Sequence, residues 1–261
     1  MSGETRRVNH GRGHRYFLDG VLATGVTTVT DDGVPKKNLI GWAARSVAGY
    51  AVDHWTELEG MTTSERLRVL EKSHWTSRDA AAVRGTDIHR LVERLSTGEE
   101  VDVPDELVGH VDAYLKFVED WKPTELLVEA TVINRTLRYM GTLDLIADLQ
   151  DGQRWLIDWK TGASGIWPET ALQIAAYRHA ETYLLPDGGE ADLPSVDATG
   201  ALWLRADGYD LIPVRAGWDE FRRFQYAQQI AEFVAMPREE TIGEAMEPPF
   251  AHLETEEEEV A

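Results

Sequence analysis

The chain has 261 residues and a mass of 29.3 kDa, with 43% hydrophobic residues, a formal net charge of −20 and no cysteine. The lack of cysteine excludes disulfides, thiolate zinc sites, cysteine nucleophiles and iron–sulfur clusters held by cysteine. A metal would have to be bound by carboxylates, histidine and carbonyl groups, which favours Mg²⁺ or Mn²⁺. Because the sequence has no long apolar run and no apolar signal segment near its start, we expect a cytoplasmic protein without a membrane span.

The negative charge is concentrated in the second part of the chain. Residues 1–100 carry 14 basic and 14 acidic residues, which leaves 12 of the 26 basic and 32 of the 46 acidic residues to positions 101–261. A negative net charge argues weakly against nucleic-acid binding, but a local basic surface could still face phosphates. The basic clusters of the first part form such a surface or are ordinary solvated charges: Arg6 and Arg7, Arg12 and Arg15, and Lys36 and Lys37.

The first part of the chain is predicted to be mainly helical. β-branched residues around two glycines predict a short hairpin over residues 16–30. Thr62 or Thr63, followed by Glu65, suits the start of a helix, whereas Gly85 is a potential helix break. The apolar periodicity predicts helices over residues 38–54, 62–72, 77–95 and 104–121.

The second part changes to an α/β pattern. Strands are predicted over residues 125–134, 137–149, 154–159, 201–205 and 211–214. Helices are predicted over residues 168–185 and 218–235, with a loop over residues 186–200 between them. We therefore expect an α/β fold in which a helical region (1–122) and an α/β core (123–236) form one compact unit, followed by an acidic, disordered tail (237–261).

Two short motifs on neighbouring predicted strands carry the chemistry. The first is Gly141-Thr142-Leu143-Asp144, and the second is Asp158-Trp159-Lys160. In a strand, residues two apart share a face, so Asp158 and Lys160 point the same way and Trp159 points away from them. Carboxylates from two strands can hold a divalent cation, and an adjacent ammonium can orient or help to deprotonate water and neutralise a phosphate. This arrangement predicts metal-dependent phosphodiester hydrolysis.

The triplet alone has little specificity. Composition predicts about one acidic-x-Lys triplet by chance in a chain of this kind. The sequence contains a second copy with the same letters, Asp120-Trp121-Lys122, at the end of a predicted helix. That copy has no preceding Gly-x-x-Asp strand, so we interpret it as a solvated helix end.

Further residues extend the candidate site, and each also has an ordinary structural interpretation. Gln173 and Tyr177 lie four apart on a predicted helix, where they contact DNA or simply pack the helix. His89 lies at the edge of an apolar helical stripe, as a metal ligand or as a core-edge histidine. Glu129, on the strand before Asp144, is a further ligand, an orienter of Lys160 or a strand-edge carboxylate.

In this order the motifs resemble the PD-(D/E)xK nuclease superfamily, and more narrowly its RecB-type exonuclease branch, which includes phage-encoded and CRISPR-associated members. The resemblance implies a restriction-endonuclease-like core with a central mixed β-sheet flanked by helices. It implies a Mg²⁺ or Mn²⁺ centre, with Lys160 and the acidic residues catalytic and with Gln173 and Tyr177 touching DNA. The implied metal ligands are His89, Asp144, Asp158 and the backbone carbonyl of Trp159.

The chain departs from many of these relatives, because it lacks the four cysteines that hold their iron–sulfur cluster. It also lacks a helicase P-loop, so unwinding would need a partner such as a helicase or recombination protein. We expect a DNA exonuclease of recombination, repair or replication in a phage or bacterium. A structure-specific endonuclease and an inactive DNA-binding subunit are the alternatives, and the sequence leaves polarity, strand preference and oligomeric state open.

Overall fold

The structure, a computed structural model, describes residues 4–10, 13–96, 99 and 101–246. These residues form an α/β fold, in which a mixed 10-stranded sheet is flanked by helices, as the sequence predicts. The strands are β1 (Arg6–His10), β2 (Gly13–Leu18), β3 (Val21–Gly25), β4 (Thr124–Asn134), β5 (Tyr139–Asp148), β6 (Arg154–Lys160), β7 (Thr182–Leu184), β8 (Glu190–Asp192), β9 (Ala198–Arg205) and β10 (Gly208–Pro213). The α-helices are α1 (Val26–Gly33), α2 (Lys37–Asp53), α3 (Trp55–Glu59), α4 (Thr63–Ser96), α5 (Val108–Trp121), α6 (Glu169–Arg178) and α7 (Trp218–Ala235).

Strand β5 is the organising strand of the sheet, because its two edges are used differently. One edge pairs with β4 in an antiparallel ladder along the whole strand. The other edge pairs first with β3, in parallel at Tyr139 and Met140, and then with β6, in antiparallel from Leu145 onward. The four residues between these partners are Gly141–Asp144. The Gly-x-x-Asp motif is therefore the stretch of β5 where neither β3 nor β6 forms the ladder.

Two layers of helices cover the sheet. The alternation of side chains along β6 shows the two faces: Trp155, Ile157 and Trp159 pack with residues of α4 and α5, whereas Leu156 packs with residues of α1, α6 and α7. Trp159 is 1% exposed and is the largest of the fully buried side chains. Burying a large apolar side chain contributes about 1.5–3 kcal/mol, so this alternation fixes the register of β6 and the direction of its polar residues.

Several predicted elements are confirmed. The strands predicted over residues 125–134, 137–149 and 154–159 correspond to β4, β5 and β6, and the last predicted helix coincides with α7. The predicted cap at Thr62 is also observed, because the backbone N–H and the hydroxyl of Thr62 both donate to the Glu65 carboxylate. Within the described ranges, no helix combines the length and the apolar character that crossing a membrane requires.

Two predictions for the first part of the chain are wrong. The hairpin of β2 and β3 ends at Gly25, and the residues up to 33 form helix α1. Val26, Val29 and Thr30 are buried at helical spacing in α1, and this pattern was hidden by their β-branched side chains. The two helices predicted over residues 62–72 and 77–95 are one continuous helix, α4. No proline interrupts it, and one glycine costs a helix only about 1 kcal/mol.

The second part also differs from the prediction at its short edge strands. The helix predicted to reach residue 185 ends at Arg178, and the following residues form β7 against β4. The predicted loop over residues 186–200 contains β8 and the start of β9, and β1 was not predicted at all. Short edge strands depend on backbone pairing with a distant partner, so their own side chains carry little signal. In the predicted tail, a 3₁₀ turn spans Arg238–Glu240, and residues 247–261 lie outside the described residues.

Candidate metal centre

The glycine of the Gly-x-x-Asp motif allows a close approach between β5 and two helices. A Cβ atom at Gly141 would lie 2.7 Å from Cε1 of Tyr177 on α6 and 2.9 Å from Cγ2 of Val26 on α1. Such distances are too short for real Cβ contacts, so no larger residue fits without moving backbone or a buried ring. The glycine therefore brings α6, with its polar residues, against the part of β5 that is paired on the β4 side alone.

Asp144 lies where the ladder between β5 and β6 ends. The last pair, Leu145 with Ile157, places Asp144 beside Asp158 in register. In place of a backbone carbonyl, Oδ2 of Asp144 accepts the Trp159 N–H at 2.6 Å. Buried backbone donors must be paired, so the carboxylate completes the sheet at this position. The side chains of Asp144 and Asp158 are buried as a result.

A histidine and two carboxylates converge at this end of the sheet. Nδ1 of His89, from α4, lies 3.7 Å from Oε1 of Glu129 and 3.7 Å from Oδ1 of Asp144. One ligand atom from each of the three residues lies within 4.8 Å of the other two. We call His89, Glu129 and Asp144 the carboxylate–histidine cluster. Its members come from three elements, α4, β4 and β5.

Glu129 has an unusual backbone for a residue inside a strand. The pairs Val128–Leu145 and Ala130–Leu143 flank it, so it lies opposite Asp144 across the β4–β5 ladder. Its φ angle is +47°, in the left-handed region that costs a non-glycine residue about 1–2 kcal/mol. Retained strain of this kind tends to occur at functional sites, and here it accompanies a carboxylate of the cluster.

Lys160 is held by polar contacts from two elements. Its Nζ lies 2.5 Å from Oδ2 of Asp158 and donates to Oε1 of Gln173 at 3.1 Å. The Gln173 amide in turn donates to the Tyr177 hydroxyl at 3.1 Å. Tyr177 is 2% exposed. In this arrangement Gln173 and Tyr177 fix the ammonium, and the predicted contact of both residues with DNA stays a prediction.

The clustered charges shift the titration of the site. Burial lowers the pKa of His89, but the carboxylates of Asp144 and Glu129 outweigh it and raise this pKa to about 9. Burial raises the pKa of Asp144 to about 7, against the opposing effect of His89. Burial also disfavours the charge on Lys160, but Asp158 and Asp144 raise its pKa above the ordinary value. Lys160 is therefore a cation at neutral pH.

The donor set suits a hard divalent cation. Oε1 of Glu129 is buried and has no hydrogen-bond partner among the described residues, whereas Oδ2 of Asp158 lies in an ion pair with Lys160. An unpartnered buried oxygen is costly, and Mg²⁺ or Mn²⁺, which take oxygen ligands, would satisfy it. His89 and Asp144, two of the predicted ligands, lie in the cluster.

The observed cluster shares His89 and Asp144 with the ligand set that the resemblance implied, but it does not include Asp158 or the Trp159 carbonyl. It contains Glu129 where the resemblance implied Asp158, which instead pairs with Lys160. The backbone of Trp159 contacts the site, because its N–H donates a hydrogen bond to Asp144. Ligation by Asp158 and by the Trp159 carbonyl stays a prediction.

Sequence reasoning did not place Tyr16 at the centre, and it named Arg7 only as part of a basic cluster that could face phosphates. The Tyr16 hydroxyl lies 3.0 Å from Oγ1 of Thr142, and Nη1 of Arg7 donates to the same oxygen at 3.3 Å. Tyr16 is separated from Thr142 by 126 positions, and no local pattern announces a contact between them. The only signal was the position of Thr142 inside the Gly-x-x-Asp motif.

Comparison with known proteins gives no functional information. No protein-family model matches the chain, and no curated protein matches it. Seventeen chains of solved structures match. One of them, described as "Crystal structure of SSO0001", has 12% sequence identity and a TM-score of 0.33, over 82% of this chain and 77% of its own. A similarity at this TM-score supports no conclusion about fold family or function.

Proposed function

We propose that this chain is a Mg²⁺- or Mn²⁺-dependent deoxyribonuclease with a PD-(D/E)xK core, acting as a RecB-type exonuclease in recombination, repair or replication. One observation carries the proposal. At residues 141–144 of β5, where neither β3 nor β6 forms the ladder, the carboxylate–histidine cluster lies beside the Asp158–Lys160 pair. The resemblance of the motifs supports the same conclusion. A structural ion pair would not explain why three carboxylates and a histidine from separate elements meet at one end of the sheet.

The residues divide into those that would hold a cation and those that would act on the phosphate. His89, Glu129 and Asp144 would hold the cation, with Asp158 as the further ligand that the motif implies. A bound cation would polarise a phosphoryl oxygen and lower the pKa of a coordinated water. This chemistry fits a set of buried oxygen donors, of which Oε1 of Glu129 has no hydrogen-bond partner in the part of the chain that the structure describes.

Lys160 supplies positive charge beside the reacting phosphate. Its raised pKa keeps the ammonium charged at neutral pH, so it stabilises negative charge that develops on the phosphate oxygens. Asp158 and Gln173 hold the ammonium in place, and Tyr177 holds Gln173. A group that is already oriented needs no reorganisation when charge develops, which is the source of its catalytic effect.

Cleavage of end-labelled DNA tests the proposal directly. Single- and double-stranded oligonucleotides are incubated with the wild-type protein in Mg²⁺, in Mn²⁺ and in excess chelator, and products are resolved on a gel. We expect cleavage only with the cation and at least a 100-fold loss, about the effect of removing one preorganised electrostatic group, in Asp144→Asn. Asp148→Asn is the matched control, because Asp148 lies on the same strand and pairs with Arg154. Unchanged, cation-dependent cleavage by Asp144→Asn contradicts the proposed centre.

Two further measurements separate the alternatives. An exonuclease leaves covalently closed circular DNA intact, whereas an endonuclease opens it. Calorimetric titration with Mn²⁺ identifies an inactive DNA-binding subunit, which would show DNA binding without a cation site that depends on Asp144. We expect intact circles and a cation site that is lost in Asp144→Asn.

A further inference from the structure

One face of the hairpin formed by β1 and β2 is polar towards the turn, and its described residues there include no carboxylate. The register pairs Arg7 with Tyr16 and Asn9 with His14. Directly opposite residues, and residues two apart on a strand, share a face. Arg7, Asn9, His14 and Tyr16 therefore form one surface, which we call the hairpin face.

The hairpin face contacts the strand that carries Asp144. Both Arg7 and Tyr16 reach Oγ1 of Thr142, at 3.3 Å and 3.0 Å. Thr142 precedes Asp144 by two residues, which corresponds to about 7 Å along a strand. The Arg7 guanidinium is thus about one strand repeat away from the candidate metal centre.

His14 belongs to the same surface and interacts with charged groups on both sides of it. Its ring nitrogen Nδ1 is 3.1 Å from Oδ1 of Asn9. Partial burial lowers the pKa of His14, the neighbouring charges of Arg7 and Arg90 lower it further, and the Glu129 carboxylate raises it. The imidazole therefore interacts electrostatically with both arginines and with Glu129 of the carboxylate–histidine cluster. This indicates that the hairpin face borders the centre.

Arg7 has hydrogen-bonding capacity that the protein does not use. A guanidinium has five N–H donors in a fork that matches phosphate oxygens. Within the described ranges, no carboxylate oxygen lies within ion-pair distance of Arg7, and its observed side-chain bond goes to a neutral hydroxyl. Its neighbour Arg6, which points to the other face, pairs with Glu4 at 2.9 Å and stacks on Phe17. A half-buried arginine without a counter-charge, beside an acidic centre, suits an anionic ligand.

We propose that Arg7, with Asn9 and His14, binds a backbone phosphate of the nucleic-acid strand next to the one that is cleaved. This subsite rests on the proposed nuclease function and defines one wall of the substrate path. The cation centre would take the scissile phosphate, and the hairpin face would hold the strand in register beside it. Phosphate contacts of this kind position a nucleic acid without reading its sequence.

The subsite also explains how a strongly acidic chain can bind DNA. The net charge is −20, so the chain as a whole repels phosphate at long range. Binding to DNA must therefore come from local basic surfaces. Of the predicted basic clusters, Lys36 pairs with Asp31 and Arg6 with Glu4, and Arg12 lies outside the described residues. Arg7, by contrast, lies beside the candidate metal centre and has no counter-charge in the described part of the chain.

Fluorescence anisotropy of a labelled single-stranded DNA oligonucleotide, with Ca²⁺ in place of Mg²⁺, tests the subsite. Arg7→Ala is compared with Arg6→Ala, which removes the same charge from the adjacent residue on the other face. We expect Arg7→Ala to weaken binding about tenfold or more, as for a lost hydrogen bond to a charged group. The slope of log affinity against log salt should fall by about 0.7, the contribution of one single-strand phosphate. Arg6→Ala should change binding less than twofold.

Cleavage, cation binding and a conservative variant separate a phosphate contact from a structural role. In Mg²⁺, Arg7→Ala should raise KM more than it lowers kcat, and it should bind Mn²⁺ as the wild type does. Arg7→Lys keeps the charge but loses the forked donors of the guanidinium. It should retain the salt slope of the wild type and bind DNA with an affinity between those of the wild type and Arg7→Ala. Equal binding by Arg7→Ala and Arg6→Ala, or loss of affinity without a change in salt slope, overturns the subsite. A wild type that cleaves DNA in that case leaves the proposed function intact, whereas a wild type that neither binds nor cleaves DNA overturns both.

Discussion

The letters Asp-Trp-Lys occur twice in the chain, at residues 120–122 and 158–160, in opposite surroundings. In the first copy, Asp120 lies on the last turn of α5, with its side chain 40% exposed and bonded to Tyr209 and Lys116. Lys122 has a left-handed backbone that ends the helix, and its N–H donates to the Val118 carbonyl. The Tyr209 hydroxyl and Lys116 lower the pKa of Asp120, as expected of a solvated carboxylate.

The second copy has the same residue types on a strand inside the sheet. The Asp158 side chain is 2% exposed and lies 2.5 Å from Nζ of Lys160. Alternation along β6 brings Asp158 and Lys160 to one face and buries Trp159 on the other. On a helix, residues two apart point in different directions, so the first copy cannot pair its own charges. The comparison shows that secondary structure, and not the triplet itself, decides whether its aspartate and lysine side chains meet.

The largest difference is expected between variants that replace the aspartate of each copy. Asp158→Asn should lower DNA cleavage by about 100-fold or more, because it removes the charge beside Lys160 and at the cluster. Asp120→Asn should leave cleavage within about twofold, since surface changes away from a site have small effects. Initial rates on an end-labelled oligonucleotide measure both. Equal rates for the two variants would remove the distinction between the copies.

The second expected effect concerns the lysines. Lys160→Met keeps the length and most of the apolar stem but removes the charge, so kcat should fall by about 100-fold. Lys122→Met should be near wild type in activity. Circular dichroism and thermal melting serve as controls for folding. A Lys160→Met enzyme that is as active as Lys122→Met would show that the ammonium does not act on the phosphate.

Local patterns predicted the strands that carry Asp144 and Asp158, because strands that are buried on both faces leave short apolar runs in the sequence. The same patterns predicted Gln173 four residues before Tyr177 on one helix. Sequence reasoning could not find the left-handed backbone of Glu129, which depends on the strand opposite, or the contact of Tyr16 with Thr142. Pairing across more than a hundred residues is a property of the tertiary fold, which a single sequence does not display.

A third prediction concerns Gly141 of the Gly-x-x-Asp motif, on the strand next to the second copy. Gly141→Ala should destabilise the protein by about 1–3 kcal/mol, as overpacking does, and should lower activity because Tyr177 and Gln173 must shift. Gly109→Ala, on the helix of the first copy, should also destabilise, since its Cβ would lie 2.4 Å from the Ala206 carbonyl oxygen. It should keep full activity when folded. At Gly162, an added Cβ would meet no atom of the described residues within 4 Å. Gly162→Ala should therefore change both stability and activity little.

The last prediction uses the contrast in pKa between the buried and the exposed carboxylates. Asp144 has a pKa raised to about 7 and His89 one raised to about 9, so both groups hold protons below these values. A cation requires the deprotonated forms, so protons compete with it at low pH. Its affinity should therefore rise with pH up to about 9, and more steeply below about 7, where both groups release a proton, than above it.

Calorimetric titration with Mg²⁺ at several pH values measures this dependence. We expect about a tenfold gain in affinity per pH unit for each proton released. Asp120→Asn should show the same slope, because the pKa of Asp120 is lowered and its carboxylate is already ionised over this range. His89→Gln should bind more weakly with a shallower slope, since one of the competing protons is gone. An affinity independent of pH in the wild type would mean that the cation binds away from His89 and Asp144.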